Sequence, residues 1–142
     1  MSLNMLKLCV GAESLEDLQS WSKERLFKMK AQGVQAHHFH VTRMMPKRAD
    51  ELLDGGSLYW VIKGQIQARQ QFTDIIRITD KEGIRRCKLV LANDVIATQW
   101  QPKRAFQGWR YLIGEEAPRD LQKEEAALPP QLRVELATLG LL

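Results

Sequence analysis

The chain has 142 residues, 44% hydrophobic and 27% charged, with 21 Lys and Arg against 17 Asp and Glu and a formal charge of +4. That length gives one domain with room for an ordinary core, which excludes a mini-protein dependent on disulfide or metal staples. Cys9 and Cys87 form no C-x-x-C site and no run approaches the ~20 apolar residues of a membrane-spanning helix, so the expected setting is a reducing cytoplasm with no membrane partner.

Leu3 to Val10 alternates loosely and stops at Gly11, the pattern of a strand. The opening, MSLNMLKLCVGAE, has too short an apolar segment for a signal peptide, and Lys7 interrupts it. Ser14 suits a helix N-cap, with Asp17 three residues on as a weaker form of the capping box. Leu15, Leu18, Trp21, Leu26 and Met29 recur at helical spacing and Gly33 ends the helix, so Trp21 is expected in the core. His37 to Arg43 reads as a strand with Phe39, Val41 and Arg43 on one face and His38, His40 and Thr42 on the other. Pro46 suits the first turn of a short helix that Gly55 ends.

From Leu58 to Ile78 one parity is mostly apolar: Leu58, Trp60, Ile62, Ile66, Ala68, Phe72, Ile76 and Ile78. The other carries Tyr59, Lys63, Gln65, Gln67, Arg69 and Arg77. A period of two over this length predicts strands with one buried and one wet face. Gly64 marks a bend or turn between two of them, and Gln70 and Asp74 break the apolar parity, which predicts a register change. Asp80 to Gly83 is a turn, Ile84 to Leu91 a strand, Asn93-Asp94 a turn and Val95 to Trp100 a strand. A basic loop through Lys103 and Arg104 leads to an aromatic strand or arch, AFQGWRYL. After Gly114 the chain is rich in Glu, Ala and Leu, and Pro118 and Pro130 predict helices near 118–127 and 130–139.

The expected fold is a single-domain α+β protein with a curved, mostly antiparallel sheet of about five or six strands and flanking helices. Residues 1–114 form its core, and 115–142 an acidic helical segment packed on that core. Residues 40–110 hold 13 basic and 7 acidic side chains, whereas 111–142 hold 3 and 6. The leucines near the end, Leu132 to Leu142, fit docking on the protein's own sheet or a homodimer contact.

The run HVTRMMPKRADELLDGGSLYWVIKGQIQARQ, with RAFQGWRYL, resembles a bacterial family, domain of unknown function 1489, over most of residues 3–120. That resemblance implies no activity. A looser resemblance, to the PUA-like group of PUA, ASCH and EVE domains, rests on Gly56, WVIKG and QIQAR. It implies a small β-barrel with flanking helices and, for many members, binding of RNA or modified nucleobases.

Three sets of residues carry candidate chemistry. Basic and aromatic side chains alternate through the middle of the chain, as nucleic-acid recognition requires. Trp60 lies on the apolar parity and belongs to the core. Arg43, Lys47 and Arg48 are left to hold phosphate, and Tyr59, Trp109 and Arg110 to stack or clamp a base. The ordinary alternative is solvated surface charge. His38 and His40 share a strand face and form a weak metal pair, with Asp50, Glu51 or Asp54 as candidates for a third ligand. His40, Thr42, Glu51 and Lys63 would make an acid–base site if strand, short helix and hairpin close around a pocket. The ASCH-like amidohydrolases use a Lys, a Thr and a Glu, which the resemblance brings to this set. No cofactor motif occurs. The leading expectation is an RNA- or nucleotide-binding module. Its rivals are a small hydrolase on a nucleobase-like substrate and an interaction protein that dimerises through its C-terminal helices.

Overall fold

A computed structural model describes residues 3–9, 11–33, 38–104 and 106–121. In chain order these form β1 (Leu3–Leu8), α1 (Leu15–Ala31), β2 (His38–Thr42), α2 (Ala49–Leu53), β3 (Ser57–Ile62), β4 (Gln65–Thr79), β5 (Arg85–Leu91), β6 (Ile96–Pro102) and β7 (Trp109–Ile113). A 3-10 turn follows at Gly114–Glu116. The strands make one sheet in the order β2-β5-β4-β3-β1-β7, with β6 also paired to β4. Pairing is antiparallel except between β1 and β3. The chain between those two carries α1, β2 and α2, the long crossover that a parallel pair needs. The fold is thus α+β with a curved, mostly antiparallel sheet. The sheet is open, with β2 and β7 at the ends of the path and unpaired with each other among the described residues, so the closed barrel implied by the looser resemblance does not form.

The 15-residue β4 is the spine. β3 runs along one of its edges, and β5 then β6 along the other. Two irregularities bend it, one opposite Trp60 and Val61 and one between Phe72 and Asp74. An extra residue in one strand tightens the local twist and reverses which side chains face inward. Ile75 therefore enters the core at 8% exposed and Ile76 turns out at 40%, opposite to the simple alternation. At the β3–β4 hairpin, Lys63 and Gly64 both have positive φ (49° and 77°), which suits a two-residue turn matched to sheet twist.

β3 is buried along its whole length. On one face Leu58, Trp60 and Ile62 pack with Met5, Leu18, Leu52, Phe72 and Leu89. On the other, Tyr59 and Val61 pack with Leu6, Ile66 and Leu112 against Phe106 and Ala117. Tyr59 is accordingly buried, not solvent-facing, because this strand has no wet face. Gly56 sets the approach of β1, α2 and β3. A Cβ there would stand 2.2 Å from the Leu3 carbonyl oxygen and 2.4 Å from that of Leu52.

The Asp17 backbone N–H donates to Ser14 Oγ at 3.2 Å, capping α1 as its sequence predicts. The helix buries only Leu15, Leu18 and Ser22. Trp21 is 48% exposed because its ring lies over Gly11 instead of entering the sheet core, which corrects the sequence expectation. Pro118 to Leu121, expected to open a helix, is not helical. The Gln99 N–H donates to the Arg119 carbonyl and the Leu121 N–H to the Ala97 carbonyl, both at 2.9 Å, so this segment adds a strand-like rung beside β6. The rest of the expected C-terminal helices, and the docking or dimer contact assigned to them, lie outside the described residues. No helix among the described residues is long and apolar enough to cross a membrane.

Candidate functional site

The histidines come first, because the structure gives them partners. His38 is 6% exposed and Gln70 is fully buried. The Gln70 carboxamide Oε1 accepts from Trp60 Nε1 at 2.8 Å, while its Nε2 donates to the Ala92 carbonyl at 3.1 Å and lies 2.6 Å from His38 Nδ1. With the amide nitrogen as donor, His38 Nδ1 is the acceptor. The break in apolar parity at Gln70 is therefore a satisfied buried amide. His40 sits edge-on to Trp60, with ring centroids 5.4 Å apart. Burial pushes His40 down to about 4, and the charges of Lys7 and Arg25 act in the same direction. His38 is lowered for the same leading reason. No group of three His, Cys, Asp or Glu forms among the described residues.

The other acid–base candidates stand apart. Thr42 is the last residue of β2 and is buried. Glu51 is held by Arg48, whose Nη2 donates to it at 2.8 Å. Lys63 projects from the hairpin tip, 65% exposed and 4.0 Å from Glu13. None of these residues, nor His40, lines either cleft described below.

The nucleic-acid candidates divide into separate groups. Trp109 and Tyr111 pack edge to face on β7, 4.9 Å apart. Trp109 Nε1 donates to the Met44 carbonyl at 2.9 Å, and the Arg48 N–H donates to Tyr111 Oη at 3.1 Å. These rings pin the loop between β2 and α2 that carries Arg43, Lys47 and Arg48. Trp109 is thus a clamp on the basic loop, with its indole N–H already engaged. Arg110 points to the opposite face of β7 and lies 5.4 Å from the Phe106 ring. Tyr59 lies with a different cleft altogether.

Two clefts contain most of the arginine chemistry. The first, about 220 Å³, opens where β2 and β4 end and β5 begins, and Arg43, Arg77, Arg85 and Arg86 line it with Met45. Arg86 donates to Asp80 Oδ2 at 2.7 Å, and that contact is the leading cause that holds the Asp80 carboxyl below its ordinary range. Arg43, Arg77 and Arg85 have no carboxylate at ion-pair distance among the described residues. Two further cations lie at the Phe39 ring, with Lys88 on the face of β5 opposite to Arg77 and Arg85. Lys88 and Arg25 lie 4.4 and 4.1 Å from the centre of the Phe39 ring. Sequence reasoning found Arg43 but missed Arg77, Arg85 and Arg86. Their only signal was Arg77 on the polar parity and the Arg85-Arg86 pair just after a tight turn.

The second cleft, about 440 Å³, lies over Asn4, Ser57, Tyr59 and Arg69 and is bounded by Gly114 and Ala117–Asp120. Arg69 grips Asp120 with two parallel bonds, Nε to Oδ1 at 2.7 Å and Nη2 to Oδ2 at 2.8 Å. Its Nη1 donates to Ser57 Oγ at 2.9 Å. Asn4 Oδ1 accepts from the Ser57 N–H at 2.9 Å, which fixes β1 to β3 at the cleft floor. Arg69 lowers the Asp120 carboxyl, and burial raises the Tyr59 hydroxyl.

An open α+β sheet with two arginine-bearing clefts defines the class. Within it, the chain belongs to the family described as protein of unknown function (DUF1489), whose model matches residues 5–142. No curated protein and no solved structure matches the chain.

Proposed function

We propose that the protein is an RNA- or nucleotide-binding module that takes phosphate in the cleft of Arg43, Arg77, Arg85 and Arg86. One observation carries this reading: three guanidinium groups without acidic partners among the described residues face one small concavity. Cations held together without counter-charges repel one another, and a phosphate relieves that repulsion while accepting paired bonds from an arginine fork. The clamp of Trp109 and Tyr111 holds the Arg43–Arg48 loop in place, so less ordering remains to be done on binding. Lys47 is exposed on the same loop and adds charge at the margin.

Filter binding of single-stranded RNA across a salt series tests this. The expected outcome is affinity that falls with salt, with a log–log slope near −0.7 for each phosphate engaged. Binding that ignores salt, or no binding at low salt, would remove the proposal. The hydrolase reading has no convergent set behind it, since Glu51 is engaged by Arg48 and Lys63 lies at the hairpin tip.

A further inference from the structure

The cleft over Asn4, Ser57, Tyr59 and Arg69 has more hydrogen-bond donors than its own residues use. Asn4 is 5% exposed, Ser57 2% and Tyr59 7%, so all three are nearly withdrawn from bulk water. Asn4 spends its oxygen on the Ser57 N–H, and its Nδ2 has no partner among the described residues. Tyr59 Oη likewise makes no hydrogen bond there, yet it is close enough to feel the charges of Arg69 and Asp120. Both donors therefore open onto the cleft, where water or a ligand completes them. The space above them, about 440 Å³, is in the range of small-molecule sites.

We propose that this cleft binds a small organic carboxylate, and that Asp120 occupies the carboxylate position from within the chain. Asp120 supplies the two in-plane oxygens that the Arg69 fork recognises. Its side chain is 46% exposed, whereas Arg69 is 23% exposed. The arginine is therefore the fixed partner and the aspartate the replaceable one. The backbone of the Asp120 segment is tied to β6 through Arg119 and Leu121, so a rotation of the Asp120 side chain frees the fork without moving the chain. Ser57 holds Nη1 and keeps the guanidinium oriented while its partner changes. Asn4 Nδ2 and Tyr59 Oη then donate to further oxygens on the ligand. This site is independent of the phosphate reading, because it shares no residue with the Arg43 cleft.

A tethered carboxylate competes at an effective concentration on the order of millimolar, so it masks weak ligands in the unmodified protein. The test is calorimetric and thermal titration of the full chain with malonate, with inorganic phosphate at equal ionic strength as a second arm. Asp120→Ala is expected to bind malonate at least tenfold more tightly than the unmodified chain and to gain melting temperature saturably. Arg69→Gln in that background abolishes the gain, and Tyr59→Phe weakens binding several-fold. If Asp120→Ala does not fold, Asp120→Asn serves instead. A folded variant with no saturable response to malonate overturns the proposal. So does an equal response without Arg69, and phosphate binding more tightly than malonate overturns the carboxylate assignment.

Discussion

Arg69 and Arg43 belong to the same chemical type but meet opposite circumstances. Arg69 is paired with Asp120 and braced by Ser57, whereas Arg43, Arg77 and Arg85 have no acidic partner within reach among the described residues. Charge alone does not distinguish the two clefts; the supply of local carboxylate does. A paired arginine stabilises the fold and admits a ligand only by giving up its internal carboxylate. A group of unsatisfied ones gives up some stability to mutual repulsion and gains from any anion that arrives.

The contrast can be broken most severely at Gly56. Gly56→Ala places a Cβ against two backbone oxygens at the base of the polar cleft, and neither can move without parting β1 or α2 from β3. A loss of about 3 kcal/mol or more is expected, or roughly 6–12 °C in melting temperature for a domain of this size, measured by thermal unfolding.

A second variant separates the two clefts. Arg43→Gln, Arg77→Gln and Arg85→Gln together are expected to weaken RNA binding by about tenfold or more at low salt. The salt slope should fall by about two, while the unfolding midpoint stays within about 0.5 kcal/mol of the original. Equal salt slopes with and without the three arginines would remove that cleft from the binding surface.

The next effect is on pH dependence. His40 has a folded value of about 4, below its ordinary 6.5, because burial disfavours the charged ring. Between those values the unfolded chain takes up a proton that the folded chain refuses. Stability therefore falls as pH drops from about 6.5 towards 4, by about 2 kcal/mol given partial exposure. Denaturant unfolding at pH 7 and pH 5 reads this, and His40→Phe should flatten the difference. Asp120 acts with the same sign, at lower pH. Its folded value is depressed by Arg69, so its contribution is full above the ordinary aspartate range and is lost as pH falls through the lower, folded value. Asp120 is half-exposed and screened by solvent, so Asp120→Asn is expected to cost up to about 1 kcal/mol at pH 7 and progressively less in acid, by thermal unfolding. Equal losses at pH 7 and pH 2 would show that the carboxylate charge plays no part.

Much of this frame was legible in residue order. The strands between Leu58 and Ile78, the Gly64 turn, the Ser14 cap and the shared strand face of His38, His40 and Thr42 all follow from short-range rules. The partnerships do not. Asp120 is 51 residues from Arg69, and nothing local marks it as the arginine's counter-ion. Arg43, Arg77 and Arg85 meet only because β5 inserts between β2 and β4. Tyr59 was placed towards solvent because alternation assumes one wet face, and β3 has none. Trp21 was placed inward because helical spacing does not reveal how much of a helix the sheet can cover.

Arg69 and Arg77 lie on the same strand, an even number of positions apart, and a regular strand would present them on one side. The additional residue near Thr73 shifts the count, so Arg69 faces the side of Tyr59 while Arg77 sits opposite Cys87 on the other. One inserted position thus lets a single length of backbone serve two unlike clientele back to back. Excising it would bring both cations round to the same side and merge what the native chain keeps separate.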